Sequence, residues 1–454
     1  MVHSESKQDI INCNSIGCCV PLPLDVNPYE HSYNATTVVA KSMLDRLAKR
    51  ATLLSTNILN VATDLVNYFH EPKKPSWDIS TTLLSSLLQA LVSHGQLGEL
   101  DIVRFFTSIP TIPPPFMSKI QEVRFRVGPR DLPGMLRPLD KVETGDREIL
   151  AEWVMDRSLA SMEQMLPSKT DSFVVKVEEN SSPRVILYAH GGAMVLMSSK
   201  THRLLTWCVS KSTGLPIFCK YYFLPFQALK ICQLAPEHPF PAGLHDVVLS
   251  FLHLIDKEEG YGYDPANVMV MGDSAGGGLM LSMMLYLRDH GLPLPGAAAL
   301  FSPWVDLSMS HDSWSNRKYD YLPLLTEDHP IHATKMYLGE ERYPYMLKHP
   351  YVSPVFAQNF DNLPPILLQA GGCECLHDEI QELATRIAQS NTYVQLEVYE
   401  DMIHVFQAFP FLKASRKALQ SVGWWSMYAV NIIHKWQHEV TTLRRELELA
   451  KSTD

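Results

Sequence analysis

A serine in a glycine-flanked turn is the residue with the clearest capacity for chemistry in this chain. Ser274 is the centre of Gly-Asp-Ser-Ala-Gly (272–276), between the apolar runs 268–271 and 279–287. These runs predict a buried strand followed by a helix, and a serine on such a turn is strained with its hydroxyl exposed. We expect glycines at both ends because a Cβ there would collide with neighbouring backbone. The pattern predicts a nucleophile, with the helix N-terminus favouring developing negative charge.

A serine hydroxyl is a poor nucleophile at neutral pH and needs a base that a carboxylate orients. Two later segments could supply these groups: the strand-like run 365–370 precedes the acidic segment 373–379, and the strand-like run 394–399 precedes His404. Loops at the carboxyl ends of strands are where an open α/β sheet gathers its functional groups. His404 is therefore the predicted base, and His377, beside the acids, is the competitor.

Three acidic residues compete for the role of the orienting carboxylate. Glu374 comes soonest after the predicted strand end, so its side chain is expected to face the histidine. Asp378 and Glu379 fall in the first turn of the next predicted helix, where acids commonly complement the helix dipole. Glu374 is the predicted acid, and Asp378 is the alternative.

A second glycine pair lies upstream of the serine and could hold an oxyanion. His190, Gly191 and Gly192 follow the apolar run 185–188. Glycines let backbone N–H groups approach a substrate oxygen closely. With the N–H of Ala275, those of Gly191 and Gly192 would form a three-donor oxyanion hole.

Five motifs then occur in a characteristic order. They are His190–Gly192, Leu234–Ala242, Gly272–Gly277, Ser302–Leu307 and Tyr351–Pro354. Over residues 170–415 the chain resembles the hormone-sensitive-lipase-like branch of the α/β-hydrolases. Its long N-terminal part and its glutamate at the acid position look most similar to fungal steryl acetyl hydrolases. The resemblance implies a carboxylic ester hydrolase with Ser274, Glu374 and His404 as triad and Gly191, Gly192 and Ala275 as oxyanion hole.

The chain departs from this family at three places. Ala193 stands where members have a third glycine, and Glu374 stands where many have aspartate. Residues 222–233 add about a dozen mostly apolar residues close to the expected site. This segment is either a lipid-facing flap or the product of an incorrect gene model, and the sequence leaves both open.

Composition limits the classes of function. The chain has 454 residues, 46% of them hydrophobic, and a net charge of −10, with no basic stretch for nucleic acid. No phosphate loop, dinucleotide fingerprint or metal-binding cluster is present, so no cofactor and no metal are expected. The first 20 residues do not resemble a signal peptide, and no apolar run could span a bilayer. We expect a cytoplasmic protein, either free or in peripheral contact with the endoplasmic reticulum or a lipid droplet, and the oligomeric state stays open.

Three regions follow along the chain. Residues 1–36 are expected to be a flexible N-terminus, 37–170 an N-terminal helical cap, and 171–454 the catalytic domain. Within the last, apolar runs alternate with helical patterns, which predicts an α/β fold with a mostly parallel sheet covered on both faces. Strands are expected near 172–178, 184–189, 216–221, 268–272, 297–301, 366–370 and 394–399.

The function that follows is hydrolysis of a hydrophobic ester, with a short acyl group on a lipid or sterol-like alcohol, through an acyl-serine intermediate. Two alternatives remain. A non-catalytic protein on the same scaffold would bind a small ligand, and an amide hydrolase would use the same groups on another bond, because a fold alone does not settle the substrate.

Overall fold

The structure is a computed structural model. Two compact units divide the chain, Met1–Leu54 and Ser55–Asp454. The first contains one described residue, Thr52, so the account below concerns the second. The described residues are 52, 55–70, 73–95, 100–107, 109–114, 116–162, 184–220, 234–315, 318–323, 325–326, 329, 331–429, 431 and 433.

The described residues form one eight-stranded sheet. Its strands are β1 (Ser118–Val127), β2 (Arg147–Asp156), β3 (Val185–Ala189), β4 (Ile217–Lys220), β5 (Val268–Asp273), β6 (Ala297–Phe301), β7 (Ile366–Gly371) and β8 (Val394–Tyr399). Their order is β1-β2-β4-β3-β5-β6-β7-β8. The pairs from β4 to β8 are parallel, and β2 pairs antiparallel with both β1 and β4. The prediction of a mostly parallel sheet is confirmed, and six predicted strands are present. The seventh, at 172–178, lies outside the described residues.

The predicted boundary between 170 and 171 does not coincide with the edge of the sheet. Residues 118–127 and 147–156 supply two of its strands, so assigning all of 37–170 to a helical cap is wrong for this stretch. In β1 charged residues interrupt the apolar ones, because one face of this edge strand meets solvent. Its arginines Arg124 and Arg126 lie beside Glu148 of β2. Strands β1 and β2 are recognised as part of the sheet by their pairing with other strands, which the local sequence pattern does not show.

Helices cover both faces of the sheet, as predicted. They are α1 (Ile79–Gly95), α2 (Leu100–Thr107), α3 (Arg137–Asp140), α4 (Ser199–Thr213), α5 (Ala242–Ile255), α6 (Ser274–Asp289), α7 (Ala333–Leu338), α8 (His377–Ala388) and α9 (Lys413–Trp424). Alternate residues of β5 face opposite layers. Val268 and Val270 join the core with α5, α6 and α8, whereas Met269 and Met271 join that with α4 and α9. Burial on both faces explains why this strand is apolar from Val268 to Met271.

The two ends of the second unit differ in burial. Residues 55–68 are helical, as expected for this region, but the side chains of Ile58 and Phe69 are 62% and 75% exposed. At the other end Trp425 is fully buried, whereas its neighbour Trp424 is 51% exposed. The predicted flexible segment 1–36 and the insertion 222–233 lie outside the described residues. No helix within the described residues is long and apolar enough to cross a bilayer.

Candidate active site

The serine turn has the geometry that its sequence predicts. Ser274 follows β5, begins α6 and adopts a φ of +52°, a left-handed conformation that non-glycine residues rarely adopt. A Cβ on Gly272 would lie 2.7 Å from the carbonyl oxygen of Gly276, and one on Gly276 would collide with the carbonyl oxygen of Ala189 in β3. Both glycines are therefore required for the turn to close against the sheet.

His404 and Glu374 form a buried pair at the same edge of the sheet. The Glu374 carboxylate follows β7 and His404 follows β8, and Nδ1 of His404 lies 2.9 Å from Oε2 of Glu374. The other carboxylate oxygen accepts the Gly371 N–H at 3.0 Å. The two residues are only 2% and 1% exposed, so water screens their interaction little. The pair is built to hold one imidazole tautomer.

The pKa of His404 is raised above its ordinary value. Burial acts to lower this pKa, but the hydrogen bond and charge of Glu374 outweigh burial, with help from the charges of Asp320 and Asp273. The surrounding carboxylates thus favour the protonated imidazole that a base catalyst forms when it accepts a proton.

The side chains of the competing residues His377, Asp378 and Glu379 bond to other groups, and His377 meets the pair through its backbone N–H, which donates to the Glu374 carbonyl at 3.3 Å. Asp378 accepts the Ser313 N–H at 2.9 Å and lies 2.9 Å from Nδ1 of His377, with 40% of its side chain exposed. Glu379 is fully buried, and its carboxylate accepts the backbone N–H groups of Val305 and Asp306. Of the three candidate acids, Glu374 is the one in contact with His404.

The loop after β6 connects the serine turn to the histidine loop. The Trp304 N–H donates to the Ser274 carbonyl at 2.9 Å, and the Val405 N–H donates to the Ser302 hydroxyl at 3.1 Å. Among the described residues, the Ser274 hydroxyl and the His404 imidazole do not form a hydrogen bond with each other. Such bonds are often long in free enzymes and tighten when substrate binds.

The buried carboxylate of Asp273 lies next to the serine turn and changes which N–H groups are free to form the oxyanion hole. Asp273 accepts hydrogen bonds from the Tyr188 hydroxyl at 2.7 Å and from the Gly191 N–H at 3.1 Å, and it lies 3.3 Å from Nε2 of His202. Burial acts to raise the pKa of Asp273, but the charge of His202 and these bonds lower it overall. Asp273 is therefore an anion that anchors the glycine loop.

Gly191 does not suit the role that its sequence position suggests. Its N–H points to Asp273, so the prediction of Gly191 as an oxyanion donor is wrong in this geometry. No acceptor among the described residues meets the N–H groups of Gly192, Ala193 or Ala275. Gly192 and Ala193 both have positive φ values, +114° and +54°. These N–H groups can still serve a ligand.

Arg104, which none of the sequence motifs indicates, supports the same loop. This α2 side chain is 3% exposed, and its guanidinium donates to the carbonyls of Val195 at 2.9 Å and Ala235 at 2.6 Å and to both Glu237 oxygens. A single arginine inside an apolar helix, far from the motifs along the chain, offered no signal beyond its charge. Its five donors make it a clamp between the glycine loop and the Leu234–Ala242 motif.

A second cluster contains residue types that can bind a metal ion, but their ligand atoms already have hydrogen-bond partners. Ligand atoms of Asp306, His311 and Glu379 lie within 4.8 Å of one another. Asp306 already accepts bonds from Ser308, Ser310 and His311, and the second ring nitrogen of His311 contacts Glu382. Burial and the charge of Asp306 raise the pKa of Glu379 well above its ordinary value. These contacts explain the cluster as an internal hydrogen-bond network.

Comparisons with known proteins agree with this geometry. Residues 186–408 match the family described as alpha/beta hydrolase fold. An acetyl-hydrolase of Streptomyces hygroscopicus is 34% identical over 241 residues, which are 53% of this chain and 74% of that protein. An esterase of Acinetobacter venetianus is 30% identical over 54% of this chain and 74% of its own length.

Solved structures of esterases show the same fold. The crystal structure of EstE5 soaked with p-nitrophenyl butyrate has a TM-score of 0.60 and 28% identity, and it covers 78% of this chain and 100% of its own. An esterase from the bacterial hormone-sensitive lipase family has a TM-score of 0.54 and 27% identity, over 75% of this chain and 95% of its own.

Proposed function

Because the chain belongs to the alpha/beta hydrolase fold family and is an enzyme of the serine carboxylesterase type, we propose that Ser274, His404 and Glu374 are its catalytic triad. The observation that carries this proposal is the buried 2.9 Å contact between His404 and Glu374, at the sheet edge where Ser274 occupies a strained turn. Acyl transfer through an acyl-enzyme needs a serine activated by a base that a carboxylate orients, and a strained strand-to-helix turn exposes the serine hydroxyl for attack.

In the first step, neutral His404 removes the Ser274 proton while Oγ bonds to the ester carbonyl carbon. The carbonyl electrons move to oxygen, and Glu374 stabilises the imidazolium. The tetrahedral intermediate then breaks its bond to the alkoxy oxygen, which leaves as the alcohol with the proton from His404. Water repeats the sequence on the acyl-serine and releases the acid and free Ser274.

The N–H groups of Gly192, Ala193 and Ala275 stabilise the oxyanion in this proposal. Ala193 takes the place expected for Gly191 because the Gly191 N–H is already engaged by Asp273. The positive helix N-terminus at Ala275 adds to the attraction for negative charge. Removing one such donor typically slows catalysis by about a hundredfold or more.

We propose a hydrophobic substrate with a short acyl group on a lipid or sterol-like alcohol. The relative from Streptomyces hygroscopicus is named an acetyl-hydrolase, which supports the short acyl group. The alcohol is proposed from the sequence resemblance to fungal steryl acetyl hydrolases, which rests on the long N-terminal part and on Glu374. The described part of the segment between β6 and β7 contributes to the substrate pocket in this proposal, since its Tyr337 lines a cavity together with His190 and Gly191.

Hydrolysis of p-nitrophenyl esters from acetate to palmitate tests the proposal. We expect the rate to peak at short chains and to fall by about a thousandfold or more in Ser274→Ala, since the serine forms the acyl-enzyme. Ser282→Ala is the matched control, because Ser282 lies on the same helix, is 2% exposed and only donates to the Gly278 carbonyl at 3.0 Å.

Three outcomes would contradict the proposal. Activity retained in Ser274→Ala would exclude this nucleophile. A folded wild-type protein without turnover, and without labelling of Ser274 by a fluorophosphonate, would favour the non-catalytic ligand-binding alternative. Faster cleavage of p-nitroacetanilide than of p-nitrophenyl acetate would favour an amide hydrolase.

A further inference from the structure

One buried carboxylate outside the triad touches both loops that carry its acid and its base. Asp320 is 3% exposed. Its Oδ1 accepts the backbone N–H of His404 at 3.2 Å, and its Oδ2 accepts the backbone N–H of Cys375, the residue after Glu374, at 2.8 Å. Two segments that are thirty residues apart in sequence are thereby joined through a single side chain.

The next residue holds the other side of the same backbone. The Tyr321 hydroxyl donates to the carbonyl of His404 at 3.0 Å, and the two rings lie 5.9 Å apart. Both the N–H and the carbonyl of His404 are therefore bound by consecutive residues. The imidazole orientation depends on this backbone, and a misplacement of about 1 Å can cost about a hundredfold in rate.

We propose that Asp320 is a positioning residue that aligns His404 with Glu374 by holding the backbone of both loops. The inference rests on the proposed triad function. A carboxylate suits this place because it has two acceptor oxygens and no donor, whereas an asparagine would turn one amide donor toward a backbone N–H.

The segment that carries Asp320 is itself anchored to α1. The Gln89 amide donates to the Asp320 carbonyl at 3.0 Å, and the Ser85 hydroxyl donates to the Tyr319 carbonyl at 2.9 Å. Helix α1 thus reaches the acid and base loops through residues 319–321. This contact gives the N-terminal region a part in shaping the proposed site.

The charge of Asp320 also bears on the histidine directly. It is one of the carboxylates that hold the pKa of His404 above its ordinary value, after Glu374. The titratable groups that face His404 or Asp320 are Glu374, Asp273, Tyr321 and Cys373, and Cys373 in turn faces the Lys74–Asp401 ion pair. Removing the Asp320 charge while leaving the others in place lowers the pKa of His404.

Asp320→Asn tests the proposal, with p-nitrophenyl acetate as substrate. We expect kcat to fall about 10- to 100-fold at neutral pH with KM within about twofold, because the substrate contacts stay intact. The midpoint of the acid limb of kcat/KM should move to lower pH. Tyr321→Phe removes a backbone contact without removing charge, so it should lower kcat several-fold and leave that midpoint in place.

Asp140→Asn is the matched structural control. Asp140 is 1% exposed, and its carboxylate also accepts two backbone N–H groups, those of Arg130 and Leu132, away from the site. We expect it to lower the thermal unfolding temperature as much as Asp320→Asn does, with kcat, KM and the pH midpoint unchanged.

The proposal is overturned if Asp320→Asn keeps kcat within about threefold, or if its pH midpoint stays at the wild-type value. If Asp320→Asn does not fold, an unchanged kcat in Tyr321→Phe would contradict the proposal that residues 320 and 321 position the His404 backbone. Failure of the triad itself gives a different result, since Ser274→Ala would then remain active. Loss of activity in Ser274→Ala beside a normal Asp320→Asn rejects the positioning role alone.

Discussion

Replacing Glu374 with glutamine removes the charge that faces His404 and changes little else in volume. In the wild type, one carboxylate oxygen accepts from His404 and the other from the Gly371 N–H. Glutamine offers one acceptor oxygen and one amide donor, so it can keep only one of these bonds. Keeping the bond to Gly371 turns its amide toward Nδ1, which favours the tautomer that cannot accept the Ser274 proton at Nε2.

The expected loss follows from the burial of the pair. A hydrogen bond to a charged group contributes about 1.5–3 kcal/mol. The attraction between a carboxylate and an imidazolium about 4 Å apart is about 4 kcal/mol at an effective dielectric constant of about 20. The hydrogen-bond energy already includes part of this charge attraction, so the two values do not simply add. We expect about 4–5 kcal/mol of transition-state stabilisation to be lost. At about 1.4 kcal/mol per factor of ten, kcat should fall about 700- to 4,000-fold.

The assay is kcat and KM for p-nitrophenyl acetate at neutral pH, with thermal unfolding as the check on folding. Asp378→Asn is the matched control, since this alternative acid is 40% exposed and contacts Ser313 and His377 rather than His404. We expect its kcat to stay within about threefold of wild type. A Glu374→Gln loss smaller than tenfold, or an equal loss in Asp378→Asn, would refute the assignment of the acid.

Two further predictions concern the oxyanion loop and the base. Arg104→Met leaves the buried carbonyls of Val195 and Ala235 without their donor, which costs about 1–3 kcal/mol for each carbonyl. The unfolding temperature should therefore fall, and kcat should fall about tenfold or more. An unchanged kcat would show that the guanidinium does not hold this loop. His404 must be neutral to accept the serine proton, and its pKa is raised, so kcat/KM should fall as pH drops through a midpoint above 6.5. A pH–rate profile measures that midpoint, and a value below 6.5 would contradict the electrostatic account.

Local chemistry explains which parts of the site could be predicted. Gly272 and Gly276 are needed by the turn itself, so the motif around Ser274 indicates its own geometry. The two loops carrying Glu374 and His404 could be assigned because each follows an apolar strand. Parallel strands deliver such loops to one edge of a sheet. The choice of Glu374 over Asp378 needed the contact with His404.

Pairing and long-range contacts explain what sequence analysis missed. Strands β1 and β2 belong to the sheet through antiparallel hydrogen bonds, and charged residues on the solvent face of β1 obscure its pattern. The sequence position of Gly191 suggests an oxyanion donor, but the Asp273 carboxylate accepts its N–H. Neither fact is encoded in the residues next to these positions.

The sequence by itself determined the sheet from β3 to β8, the serine turn and the loops that bear the acid and the base. These depend on short apolar runs, glycine geometry and chain order, which act between neighbouring residues. Only the tertiary structure decided the roles of Arg104 and Asp320. Each makes hydrogen bonds to backbone groups between 55 and 131 residues away, and a backbone N–H or carbonyl has no residue type by which a sequence could show it.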